Sequence, residues 1–186
     1  MLRPARLVIA DLDAHGRSAV VADGPAPEVR ESPAWPGAGV TLLWRSPAEA
    51  HHNADYSASE SSLSPLPGGT TLMMWQLPPQ AELNLLSSEE RLRAQRPRMQ
   101  ISDRPPVAPS HPGMHATPTL DYVIVIRGEI TLILEHGEVT LGPGDTVVDR
   151  GVRHAWENRG SEPSLCAIVN VDAPGWAAGR GGVRED

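Results

Sequence analysis

The sequence predicts an all-β protein built as an antiparallel sandwich or barrel, and three observations lead there. Prolines (19) and glycines (17) recur along all 186 residues and interrupt any long helix. The last third holds six short strand-like runs, 120–127, 129–135, 138–141, 145–149, 154–157 and 164–171, separated only by glycine-containing or charged turns. No helical pattern stands between those runs, as expected for neighbouring antiparallel strands and not for strand-helix-strand units. With 40% hydrophobic residues the chain has material for one core and some irregular flanking segments.

Taken in order, runs 6–10, 18–22 and 40–44 read as short strands, the second stopped by Asp23-Gly24-Pro25 and the third preceded by Gly37 and Gly39. Residues 47–69 are rich in Ser, Ala, Pro and Gly and read as a surface loop. The run 70–77 is a strand that Pro78 and Pro79 end. In 87–96, Ser87 and Ser88 precede Glu89 and Glu90, basic residues follow and Pro97 stops the run, which predicts one short helix. Four prolines make 103–112 an extended connector. The domain reading is therefore N-terminal strands and loop (1–68) packed on a barrel (69–172), followed by a fraying tail (173–186).

A net charge of -7 provides no basic surface for nucleic acid or anionic membrane, so neither is expected as a partner. Cys166 is the single cysteine, which excludes an intramolecular disulfide, a zinc finger and a CxxC redox pair. The N-terminal apolar run meets Asp11 and Asp13 too soon for a signal or membrane span, and a soluble cytoplasmic protein is expected.

Chemistry concentrates in two segments. Side chains two apart share a strand face, so His115, Thr117, Thr119, Asp121, Val123 and Val125 point one way as far as Pro118 leaves the strand regular. The same parity groups His154, Trp156 and Asn158. Two histidines and a carboxylate thereby converge inside a barrel.

These segments resemble the two motifs of the cupin superfamily, G-x5-HxH-x3-4-E-x6-G and a second built on a Gly-Asp start, a Pro-x-Gly turn and H-x3-N. His115 falls on the first histidine, Asp121 on the glutamate, Gly128 on the closing glycine, and His154 and Asn158 on the second motif's histidine and asparagine. Thr117 replaces the second histidine, Asp121 is one methylene shorter than glutamate, and the turn at Arg150-Gly151 lacks the proline. The wording is similar to small bacterial and fungal secondary-metabolite cupins, some called oxidoreductases. The resemblance implies a cupin β-barrel (jelly roll) and an enzyme acting on a small oxygenated or polyketide-like metabolite.

Two neutral imidazoles and one carboxylate form the facial arrangement suited to a divalent metal, iron first, with Mn, Ni or Zn also accommodated. The expected ligands are His115, Asp121 and His154, with Thr117, Thr119, Trp75 and Trp156 lining the substrate space. The alternative reading has His115 and His154 as hydrogen-bonded pocket histidines and Asp121 paired with Arg127 or a backbone amide. Function then divides into metal-dependent oxidoreductase or dioxygenase, non-redox or metal-free lyase, isomerase or cyclase, and ligand binding without turnover.

His51 and His52 read as surface histidines, and Arg91, Arg93, Arg96 and Arg98 as a solvated helix face. Tyr122, Ile124 and Ile126 make the other face of the Asp121 strand apolar, in need of cover from N-terminal strands or a second subunit, and a homodimer is expected. Residues 82–111 are expected to cover the pocket.

Overall fold

The structure, a computed structural model, describes residues 2, 4–33, 35–52, 63–87, 89, 90, 111 and 113–177. Eleven strands occur among them: β1 (Arg6–Leu12), β2 (Ser18–Pro25), β3 (Glu28–Glu31), β4 (Gly39–Ser46), β5 (Thr70–Leu77), β6 (Thr119–Arg127), β7 (Ile130–Leu134), β8 (Glu138–Leu141), β9 (Thr146–Asp149), β10 (His154–Glu157) and β11 (Ser164–Asp172). Two single-turn helices, α1 (Gln80–Leu83) and α2 (Pro174–Ala177), lie wholly among the described residues, and Glu89 and Glu90 are helical as well. Every strand pair is antiparallel.

The main sheet runs β3-β4-β5-β11-β6-β9 and faces a smaller one, β10-β7-β8. Backbone bonds in both directions between His115 and His154, each 2.9 Å, place residue 115 against β10 on the side away from β7. One buried cluster joins the sheets: Val123, Val125 and Cys166 come from the main sheet and Ile130 from the other, with Trp156 and Leu141 packed against them. This is an antiparallel barrel of jelly-roll type, closed over its core because each sheet has one apolar face to bury. Among the described residues the β1-β2 hairpin pairs only with itself.

Register sorts the interior of the main sheet into layers, since directly paired residues point the same way. Val40, Trp75, Cys166 and Val125 form one row; Leu42, Met73, Ile168, Val123 and Val147 the next. The third is polar: Arg45, Thr71, Asn170, Asp121 and Asp149. A bulge between Leu42 and Trp44 shifts the parity of β4, so Arg45 and not Trp44 joins this row.

Three elements escape the sequence reading, among them α2, which falls at the start of the stretch expected to fray. β3 is made of Glu28, Val29, Arg30 and Glu31, too charged and short to read as a strand, and it forms because β4 offers it an edge. Helix α1 begins directly after Pro79, where proline tolerates the first turn, and buries Leu83. At the expected 87–96 helix, Ser87 N–H donates to Glu90 Oε2 (2.9 Å) and Glu90 N–H to Ser87 Oγ (3.3 Å), a reciprocal capping pair. Residues 91–110, which carry the rest of that helix, the connector and Arg91, Arg93, Arg96 and Arg98, lie outside the described residues, as does the chain beyond 177. Among the described residues no helix is long and apolar enough to cross a membrane.

Candidate functional site

Strand β6 alternates Thr119, Asp121, Val123 and Val125 inward, each at most 6% exposed, as its period-two pattern predicts. From β10, His154 and Trp156 face the same interior. The turn before β10 is closed by Gly151, whose φ of 69° is open to glycine at little steric cost. There Val152 N–H donates to Asp149 Oδ1 at 3.0 Å, which fixes the carboxylate beside the ring it precedes.

The imidazoles of His115 and His154 lie with centroids 4.5 Å apart, tilted by 56°. His115 Nδ1 is 2.8 Å from the Gly113 carbonyl, and His154 Nδ1 is 2.9 Å from the Val152 carbonyl. A carbonyl only accepts, so each ring carries its proton on Nδ1 and presents Nε2 as the basic nitrogen when neutral. His154 Nδ1 also lies 2.5 Å from Asp149 Oδ2, an oxygen with no other partner among the described residues, so that carboxylate acts on the ring through close contact and charge together. Both side chains of this pair are buried.

These environments push the two imidazoles apart. Burial, followed by the charge of His154, holds His115 below the ordinary imidazole value, against the opposing Gly113 carbonyl and Asp149 charge. Burial alone would lower His154 as well; close contact with Asp149, its charge, the Val152 carbonyl and Asp121 outweigh it and raise His154. Burial pushes Asp149 up, but His154 and the Val152 and Gly151 amides bring it below the usual carboxylate range.

Asp121 is held by donors, not by Arg127: Asn170 Nδ2 donates to its Oδ1 at 2.6 Å and Thr117 Oγ1 to its Oδ2 at 3.2 Å. Thr119 Oγ1 donates to Thr117 at 2.8 Å, and Thr71 Oγ1 to Asn170 Oδ1 at 3.2 Å, so the polar row is a directed chain ending on the carboxylate. Burial, only partly opposed by the Thr119 and Asn170 donors, pushes Asp121 above the usual range.

Trp75 and Trp156 meet edge to face with centroids 6.1 Å apart, and Trp156 stands 6.0 Å from His154. Asn158 is consumed structurally: its Nδ2 donates to the Leu77 and Glu162 carbonyls. Burial drives the Cys166 thiol up to about 11 and removes it as a nucleophile. His52 Nδ1 lies 2.7 Å from Asp11 Oδ1 in an exposed pair, as a surface histidine would.

The expected metal set is tested by this geometry. Two basic Nε2 atoms suit a metal, and their carbonyl-anchored Nδ1 atoms are the usual support for such ligands. The third donor does not follow: Thr117 stands where a histidine would, Asp121 is engaged by Asn170 and Thr117, and no three His, Cys, Asp or Glu side chains among the described residues are grouped to hold a metal ion. As arranged, the residues do not fit a three-ligand site.

Sequence reasoning placed His115, Thr117, Thr119, Asp121, His154, Trp75 and Trp156 together, but missed Asp149, Asn170 and Arg45. Asp149 and Asn170 are polar residues at inward parity of apolar strands, a signal present in the sequence. A cleft of about 550 Å³ lies elsewhere, lined in part by Thr41, Met74, Gln76 and Leu165, whose strand parity is opposite to that of the histidine pocket.

Residues 104–170 match the family model described as a cupin domain. Phomopsin biosynthesis cluster protein D of Diaporthe leptostromiformis is 49% identical over 47 residues, 25% of each chain. Oryzines biosynthesis cluster protein J of Aspergillus oryzae is 45% identical over 53 residues, 26% of this chain and 30% of that one. The chain thus spans between a quarter and a third of the length of these curated relatives. Among solved structures, the Cnp3 cupin domain of Schizosaccharomyces pombe is similar at 11% identity and a TM-score of 0.44, over 90% of this chain and 87% of that one. An RmlC-like cupin family protein of Methanocaldococcus jannaschii is similar at 17% identity and a TM-score of 0.37, over 59% and 75%.

Proposed function

Proceeding from a cupin domain at residues 104–170, we propose that the barrel interior binds a small organic metabolite and moves a proton on it, as a lyase, isomerase or cyclase does. One observation carries this reading: two imidazoles lie 4.5 Å apart, only one of them against a buried carboxylate at 2.5 Å. Neighbouring groups whose environments drive their proton affinities apart divide naturally into acid and base. His115, neutral, takes a proton through Nε2 from a carbon next to a carbonyl. His154, charged beside Asp149, gives its Nε2 proton to the carbonyl oxygen, and an enol forms. Where the enol is conjugated to a further double bond, return of the proton from His115 to the far carbon, with the enol O–H proton going back to His154 Nε2, gives the isomer with its double bond shifted. Delivery of the His154 proton to a β-hydroxyl instead expels water. Trp75 and Trp156 supply an apolar wall for the substrate body.

The relatives' names refer to biosynthesis clusters, which supports a place for this chain in the making of small metabolites. A homodimer is supported by Tyr122, Ile126 and Val148, exposed on the outer face of β6 and β9.

The metal-dependent oxidoreductase reading is favoured by one observation, the two Nε2 atoms freed by Nδ1 anchoring. His115, His154 and a reoriented Asp121 would hold the ion. Incubation of the protein in D2O with a panel of small carbonyl metabolites separates the readings. Proton transfer predicts solvent deuterium at carbon, undiminished by EDTA and lost in His115→Ala. Deuterium incorporation lost on chelation and restored by iron supports the metal; binding with no incorporation leaves a ligand-binding cupin.

A further inference from the structure

Arg45 is 5% exposed, yet its Nε and Nη2 have no hydrogen-bond partner among the described residues. A guanidinium spreads its positive charge over three nitrogens, and holding two of them away from water without partners is costly. The two atoms concerned share one edge of the group. Their N–H bonds run side by side, the spacing that receives both oxygens of one carboxylate.

The location of Arg45 is specific. The β4 bulge turns it into the polar row, in register with Thr71 and followed by Asn170, Asp121 and Asp149 on successive strands. The other members are engaged: Thr71 donates to Asn170, Asn170 to Asp121, and Asp149 stands against the His154 ring. Arg30, on the same inner face at β3, is engaged by Glu28. Burial first, and then the charge of Arg45, lowers the proton affinity of Arg30, so the two cations feel each other across an interior where an anion would relieve them.

We infer that Arg45 is the anion-binding residue of the barrel, its Nε/Nη2 edge receiving the carboxylate of a small organic acid. Three strand spacings, about 14 Å along the sheet, separate the Arg45 and Asp121 backbones, and the arginine side chain spans roughly half of that. An acid seated on Arg45 extends across the Thr71-Asn170-Asp121 row towards His115 and His154. Its reacting carbon is several bonds from the carboxylate. Only this last placement rests on the proton-transfer reading.

The test uses the full chain and a panel of acids from acetate to decanoate together with 3-phenylpropanoate, each beside its neutral amide, at constant ionic strength. Thermal shift and calorimetric titration are the readouts. The expected result is saturable stabilisation by at least one acid and not by its amide, with binding weakened at least ~10-fold in Arg45→Met and less in Arg45→Lys. Ligand-free Arg45→Met should be as stable as the parent or more so, because a buried unpaired charge is removed. The inference falls if no acid binds, if acid and amide bind alike, if binding survives in Arg45→Met, or if that variant is less stable without ligand. His154→Ala should keep the acid. If it does, while the parent incorporates no deuterium, the proton-transfer reading fails alone and Arg45 stands.

Discussion

Asp149 Oδ2 and His154 Nδ1 stand 2.5 Å apart, joined across a four-residue turn that Gly151 closes, and both side chains are buried. That carboxylate raises the proton affinity of His154, while burial holds that of the adjacent His115 low. His115, 4.5 Å away, shares the barrel interior but has a carbonyl where His154 has that carboxylate as well.

Asp149→Asn should lower the His154 pKa below the parent's and leave the fold intact, read by the pH dependence of the ring's NMR shifts. Its stability cost depends on pH with a definite sign. The raised His154 contributes fully below the ordinary 6.5 and loses its contribution as pH rises through its folded value. The lowered Asp149 contributes above the ordinary 3.8 and loses it as pH falls through its folded value. The deficit of the variant should therefore peak between about pH 4 and 6.5, at about 3–5 kcal/mol in denaturant titrations.

His115 behaves oppositely. Its lowered folded value means that the unfolded chain binds a proton first, so this group costs stability as pH falls below the ordinary 6.5. His115→Gln should flatten the acid limb of the stability profile while abolishing deuterium incorporation from D2O. A variant that keeps full incorporation removes His115 as the base.

Asn170→Leu leaves Asp121 without its 2.6 Å donor and Thr71 without its acceptor. Burial then dominates and the Asp121 carboxyl should titrate higher still, with a loss of about 1–3 kcal/mol in stability. Carbonyl-region infrared spectra against pH report the carboxyl directly.

Gly128 joins β6 to β7 at a φ of 71°, and a Cβ there would sit 2.9 Å from Ser164 Cα. Gly128→Ala should destabilise by about 1–3 kcal/mol, because neither the left-handed backbone nor the β11 backbone opposite can yield cheaply. Thermal unfolding measures it.

Metal content gives a fifth test. Protein purified without a histidine tag and dialysed against equimolar iron, manganese, nickel and zinc should retain well below one ion per chain if Asp121 stays with Asn170. Stoichiometric retention that disappears in Asp121→Ala would establish the metal-dependent reading instead.

The strand-rich C-terminal third was legible because its chemistry is local. A period of two needs only neighbouring residues, so the inward faces of β5, β6 and β10, with Trp75, Asp121, His154 and Trp156, follow from the sequence. Glycine spacing likewise set where strands end, as at Gly128 and Gly151. The Ser87-Glu90 capping pair was legible for the same reason.

What the tertiary structure alone decided is partnership across distance. Asn170 reaches Asp121 over 49 residues and Thr71 reaches Asn170 over 99, pairings set by the β5-β11-β6 order, which no local pattern encodes. The parity of 40, 42 and 44 points Trp44 inward; one extra residue in β4 reverses it and buries Arg45 instead. A bulge is chosen by how two strands must bend together to close a barrel. Residue type alone set what the interior could contain; register and closure decided which charges meet there, and so which of the two imidazoles stands against a buried carboxylate.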